Sequence, residues 1–203
     1  KVTMLGHGFR DVRDAERPRQ PVGTTMLIRT VLAVFVVLAT ATGVAAQSTP
    51  ERVAVHGDWS VYTYSDADGP ICYVATQPLD SEYSQAISSR DPAFFTISTR
   101  PSENIREEIS VRTGYPLSET SPVTATVDQE DPVTLYIRTD VAADGVWVEN
   151  PAIQSALVVA MKRGITLNIR GSSVRGTVIT DSYSLRGITA ALDRMAAECP
   201  MPQ

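Results

Sequence analysis

The chain has 203 residues, with 18 Lys+Arg against 23 Asp+Glu for a formal charge of −5, and 43% hydrophobic and 20% charged side chains. That length allows one domain or two. The balance is that of a globular chain, not a disordered or fibrous one, and the acidic charge argues against a duplex nucleic-acid binder, whose affinity rests on Lys and Arg meeting phosphates. Two Cys and two His are too few for a structural zinc finger or an iron–sulfur cluster, so no metal or cofactor is expected.

Residues 1–25 are polar, with Arg10, Arg13, Arg17 and Arg19 around Pro18 and Pro21, and read as a disordered or non-native upstream extension. Met26-Leu-Ile-Arg29 then supplies a short positive n-region and Val31 to Thr42 an uncharged apolar run. The run closes on Gly43-Val44-Ala45-Ala46, a pattern for signal peptidase to cut after Ala46. It is well short of the roughly 20 residues that span a bilayer. The expectation is a signal peptide over 26–46 and a periplasmic or secreted domain over 47–203, with no stable membrane insertion after processing. That domain would carry 12 basic and 20 acidic side chains, a charge of −8, and would repel nucleic acid and anionic lipid.

Residues 59 to 65, Trp-Ser-Val-Tyr-Thr-Tyr-Ser, alternate in the strand period; Asp66 to Pro70 turns the chain, and Ile71 to Ala75 returns it as a hairpin. Residues 78 to 92 carry serines and two prolines without periodicity and read as a surface loop. Strands follow over 94–99 and 105–113, then three short β-rich runs at 123–127, 133–137 and 146–148. Strands at this spacing predict a sandwich or barrel. The period then changes. Asn150 is an N-cap and Pro151 suits the first helical position. Ile153, Ala156, Leu157, Ala160 and Met161 fall at helical spacing, and Lys162-Arg163 precede Gly164. Residues 165–169 and 178–185 return to strand around Gly171 to Gly176, and 188–199 place Ile188, Leu192, Met195 and Cys199 on one helical stripe. The reading is a mainly β, single sandwich-like domain with one internal and one C-terminal helix.

Cys72 and Cys199 both lie in the exported part, where thiols oxidise, and allow one intramolecular pairing. Closing so long a loop would stabilise the fold by roughly 4 to 5 kcal/mol. The alternatives are two separate buried thiols, or a reactive Cys needing a base to form thiolate; His56 is the one histidine in residues 47–203.

Catalytic signals are sparse. A hydrolase triad needs a histidine oriented by a carboxylate. His56 stands alone before the first predicted strand, and the sequence contains neither Gly-x-Ser-x-Gly nor His-Glu-x-x-His. Glu107-Glu108 and Glu130-Asp131 are adjacent pairs, but neighbours in a strand point to opposite faces. Gly171 to Gly176 lacks the Lys-Ser/Thr ending of a phosphate loop. The main binding candidates are arginines in or beside predicted strands: Arg100, Arg106, Arg112, Arg170, Arg175 and Arg186. Gathered on one face they would grip carboxylate, sulfate or phosphate; scattered, they are ion-pair partners for the acids. Trp59, Trp147 and Tyr115 are candidate contact aromatics that equally suit a core.

Gly57-Asp58-Trp59-x-Val61, Cys72-Tyr73, Thr99-Arg100-Pro101 with Glu103-Asn104 and Glu108, and Gly114-Tyr115-Pro116 form an ordered series. With Ala160-Met161-Lys162-x-Gly164, Arg170-Gly171-Ser-Ser-x-Arg175-Gly176-Thr177, Tyr183-Ser184-Leu185-x-Gly187 and Cys199 it resembles the invasion-associated locus B (IalB) family over residues 55–199. The resemblance implies an exported, β-rich protein of proteobacteria, periplasmic or surface-associated, some of whose relatives are linked to host-cell entry. It carries over no catalytic residue. Some relatives have a further cysteine just after the tryptophan, where Tyr62, Thr63 and Tyr64 stand here. The expected function is a non-catalytic interaction module for an envelope or host-surface component, with Arg100, Arg106, Arg170, Arg175 and Tyr115 as candidate contacts. The competing expectation is an envelope-acting hydrolase using His56 or a carboxylate.

Overall fold

Alternating apolar and hydroxyl-bearing side chains make β2 (Trp59–Ser65) and β3 (Pro70–Thr76) an antiparallel hairpin in which Tyr62 faces Tyr73 and Thr63 faces Cys72. The computed structural model describes residues 48–202; the expected extension over 1–25 and signal peptide over 26–46 lie outside the described residues. Ahead of the hairpin, β1 (Glu51–His56) pairs with β2. The chain continues through β4 (Asp80–Tyr83), β5 (Phe94–Arg100), a 3₁₀ turn at Pro101–Glu103, β6 (Ile105–Arg112), β7 (Val123–Val127), β8 (Val133–Ile137) and β9 (Gly145–Trp147). It ends with α1 (Pro151–Arg163), β10 (Thr166–Ser172), β11 (Val178–Ser184) and α2 (Ile188–Glu198).

These strands form one antiparallel sheet in the order β1-β2-β3-β5-β6-β9-β8-β7-β10-β11-β4. The sheet doubles over so that its halves share a core. Phe95 of β5 meets Tyr183 of β11 edge to face at 5.8 Å, and the Trp59 indole N–H donates to the Ser184 carbonyl across the fold at 2.9 Å. Trp59, Phe95 and Tyr183 are all fully buried; Phe95 gains roughly 2–3 kcal/mol by transfer from water, while the Tyr183 hydroxyl has no hydrogen-bond partner among the described residues, which offsets part of that ring's gain. The predicted mainly β, sandwich-like domain with two helices is therefore the observed one, built from one continuous sheet.

Two strands escape the sequence reading. β1 and β4 are the two edges of the sheet, and β4, Asp-Ser-Glu-Tyr, has no apolar alternation. It is a strand because β11 offers it a free ladder, with Ser81 facing Asp181 and Tyr83 facing Ile179. The predicted loop over 78–92 is thus partly sheet.

Asn150 caps α1 as expected, its side-chain oxygen accepting from Ala152 N and Ile153 N at 2.9 and 3.3 Å. The buried face is Leu157, Val158, Ala160 and Met161, while Ile153 is 44% exposed. The first turn lies beside the open edge of β6, where Gln154 Oε1 accepts from Ile109 N at 3.1 Å. A backbone donor there selects the amide over an apolar neighbour. α2 packs on β1, β2 and β3 with Ile188, Leu192 and Met195 buried, and Cys199 just beyond it is bonded to Cys72, their Cα atoms 5.9 Å apart. No helix among the described residues is long and apolar enough to cross a membrane.

Candidate functional site

The β11 burial pattern alternates, with Ile179, Asp181 and Tyr183 facing inward. A carboxylate on that phase is costly unless paired and hydrogen-bonded. Asp181, 1% exposed, is met by Arg90, whose guanidinium donates to both carboxylate oxygens, and by the Ser81 hydroxyl at 2.7 Å. Arg90 Nε also donates to the Thr113 carbonyl at 2.7 Å, and the guanidinium lies over the Tyr115 ring, 5.1 Å from its centroid. Burial alone would lower the Arg90 guanidinium, but hydrogen bonds with Asp181 and Tyr83 outweigh it and raise it above its ordinary range. Burial, reinforced by the Asp181 charge, likewise pushes the Tyr115 phenol up from its ordinary range.

This neutralised cluster underlies a groove of about 530 Å³ between the 85–91 crossover, the 114–116 segment and the 173–177 turn. The last two segments are tied together: Val174 N donates to the Pro116 carbonyl at 3.0 Å and Ser118 N to the Ser172 carbonyl at 2.8 Å. That tie brings Tyr115 and Arg175 to one groove, with Gln85, Asp91 and Ser173 also on its walls. Arg175 is exposed and makes no ion pair among the described residues. The groove thus combines a rigid aromatic, a free guanidinium and hydroxyl and amide groups. Such a surface orients a ligand by a few polar contacts around an apolar body.

The other arginines stand elsewhere. Arg100 pairs with Glu103 and Glu108 at 3.0 and 2.9 Å, Arg112 with Asp144 at 2.7 Å, and Arg186 with Asp58 at 2.8 Å. Arg106 lies beside Met195 and Cys199, and Arg170 in a small cleft with Thr124 and Val178. They form no single stripe. Glu107 approaches Lys162 while Glu108 pairs with Arg100, so the adjacent carboxylates diverge. His56 Nε2 is buried without a hydrogen-bond partner among the described residues, Trp59 is core, and Trp147 is partly exposed. Sequence reading misses Arg90 and Asp181. The signal for Asp181 is its place on the apolar phase of β11; Arg90, in an aperiodic stretch, gives none.

A family model described as "Invasion associated locus B (IalB) protein" matches residues 59–196. Among solved structures, the chain resembles invasion associated protein B from Bartonella henselae, with a TM-score of 0.50 and 18% identity, covering 74% of this chain and 97% of that one. At that identity the likeness speaks for the fold alone. No curated protein matches.

Proposed function

This chain belongs to the invasion associated locus B (IalB) family, and from that premise we propose that it is an exported, non-catalytic interaction protein of the periplasm or cell surface. It binds an envelope or host-surface component in the groove under Arg175. The observation that carries this reading is the convergence of Tyr115 and Arg175 on one wall-to-wall groove of about 530 Å³ over a charge-neutralised floor. The Cys72–Cys199 bond suits an oxidising compartment. Binding without turnover is supported by His56, whose Nε2 is turned into the protein and not toward the groove lining. A contribution to host-cell invasion is part of the same proposal.

The test is a pull-down from envelope extracts and host-cell surface extracts with the processed protein, comparing Arg175→Ala, Arg100→Ala and Arg170→Ala. Loss of one partner in Arg175→Ala, with the other two retaining it, supports the groove. Equal retention by all three rejects it. Complementation of a null strain by His56→Ala separates contact from catalysis: a lost phenotype with a normally folded variant would favour the hydrolase.

A further inference from the structure

The outward face of the first sheet half presents a different surface, independent of the groove. Its residues stand in cross-strand register: Tyr62 faces Tyr73, Tyr73 faces Ser98, and Ser98 faces Glu108. In the next row Ala75, Thr96 and Ser110 lead to Trp147 and then Tyr136. The first row is aromatic at its β2–β3 end and the second at its β9–β8 end, with small side chains between. With strands spaced by about 4.8 Å, the three steps from β3 to β9 span roughly 14 Å, and the two aromatic groups flank this trough diagonally, one row apart. It deepens into a cleft of about 300 Å³ between Tyr64, Tyr73, Thr96, Ser98 and Arg100.

Both walls are braced. Tyr62 stacks on Tyr73 with centroids 4.9 Å apart and planes 10° from parallel, and Tyr64 meets Tyr73 edge-on at 6.2 Å. On the other side the Trp147 indole lies over Gly145, where a Cβ would come within 2.5 Å of the ring. The Arg138 guanidinium stands 5.9 Å from the indole centroid. Rings held this way lose little conformational freedom on binding.

Charge selects the ligand. Arg100 is held by Glu103 and Glu108, Arg112 by Asp144 and Arg138 by Asp140. The exception, Arg52, lies beyond Tyr62 at the sheet edge. Between β3 and β9 the trough is therefore electrically balanced, and an anion lying there, away from the edge residue Arg52, would have to break the Arg100 pairs to gain a cation. An uncharged, polyhydroxylated ligand needs no such exchange. Its C–H faces would lie on the tyrosine rings, and its hydroxyls would meet Thr96, Arg100 and Glu108. We propose that this trough, over β2, β3, β5 and β6, is a binding site for a neutral saccharide chain.

Isothermal titration of the exported protein with chitohexaose, cellohexaose and maltohexaose, and with a galacturonate hexamer as the anionic arm, tests this. At least one neutral hexasaccharide is expected to bind saturably with a Kd of about 1 mM or tighter. Tyr73→Ala and Tyr64→Ala should each weaken it roughly tenfold, and Arg175→Ala should not. Thr96→Gln, which fills the trough without removing a ring, is the check if a tyrosine variant fails to fold, and should cause a comparable loss. Three results would overturn the assignment: no saturable neutral ligand, binding confined to the galacturonate arm, or binding lost in Arg175→Ala while the trough variants retain it.

Discussion

Cutting the covalent tie between the opening hairpin and the last helix, with Cys72→Ala and Cys199→Ala together, is expected to lower stability by about 5 to 6 kcal/mol. The two residues are 127 apart in sequence, and the chain-entropy relation gives about 16 to 17 cal/mol/K for a loop of that length, or about 4.9 kcal/mol at 25 °C. Both cysteines are 1% exposed, so losing two sulfur atoms from a packed site adds a cavity cost of about 1 kcal/mol. A domain has only about 5–15 kcal/mol to lose. Ile188, Leu192 and Met195 still bury α2 against β1, β2 and β3, so the variant should fold in the cold and melt about 10 to 20 °C earlier. Urea denaturation followed by tryptophan fluorescence and far-UV circular dichroism measures the change. The slope m should rise, because the unlinked denatured chain exposes more surface. A midpoint shift worth less than about 1 kcal/mol, with m unchanged, would refute the reasoning and assign the attachment of α2 to packing alone.

Arg90→Met leaves the buried Asp181 carboxylate with Ser81 as its remaining donor and should cost about 3–5 kcal/mol; adding Asp181→Leu should restore much of that loss, and calorimetric losses that simply add would disprove the coupling. Gly187 has φ of +94°, and a Cβ there would stand 2.1 Å from the His56 carbonyl oxygen, so Gly187→Ala should cost at least about 2 kcal/mol. A melting point equal to wild type would show that the turn relaxes freely. Asp58 is held down at about 2, against an ordinary 3.8, by the Arg186 hydrogen bond and then Ser184. Because the folded value is the lower one, its contribution is present above the unfolded value and fades as pH falls through about 4 to about 2. Asp58→Asn should be less stable than wild type at pH 6 and converge with it near pH 2; parallel curves in acid denaturation would contradict the assignment.

Several segments of the sequence series are neighbours in space, which explains why they occur together. The Gly57-Asp58-Trp59 turn and the Ser184-Leu185-Arg186-Gly187 turn are 125 or more residues apart. They are joined by the Trp59 indole bond to Ser184, by Asp58 N donating to the Arg186 carbonyl at 3.1 Å, and by the Asp58–Arg186 ion pair. Cys72-Tyr73 serves two surfaces at once: Cys72 faces inward to α2, and Tyr73 stands on the outward trough. The strand period fixes that division locally. The partner of each side chain is fixed only by the fold.

Sequence alone determined the elements whose signals are local: the alternating strands of the β2–β3 hairpin, β5, β6 and β11, the Asn150-Pro151 start of α1, and the α2 stripe ending at Cys199. Apolar period and capping chemistry act within a few residues, so they are readable without coordinates. Edge strand β4, the Arg90–Asp181 pair and the meeting of Tyr115 with Arg175 were decided by tertiary structure. A polar edge strand owes its state to a neighbour's unpaired ladder, and a buried ion pair forms where burial makes an isolated charge costly. Both depend on what lies across the sheet, 91 residues away in the case of Arg90 and Asp181, a separation over which no periodicity carries information.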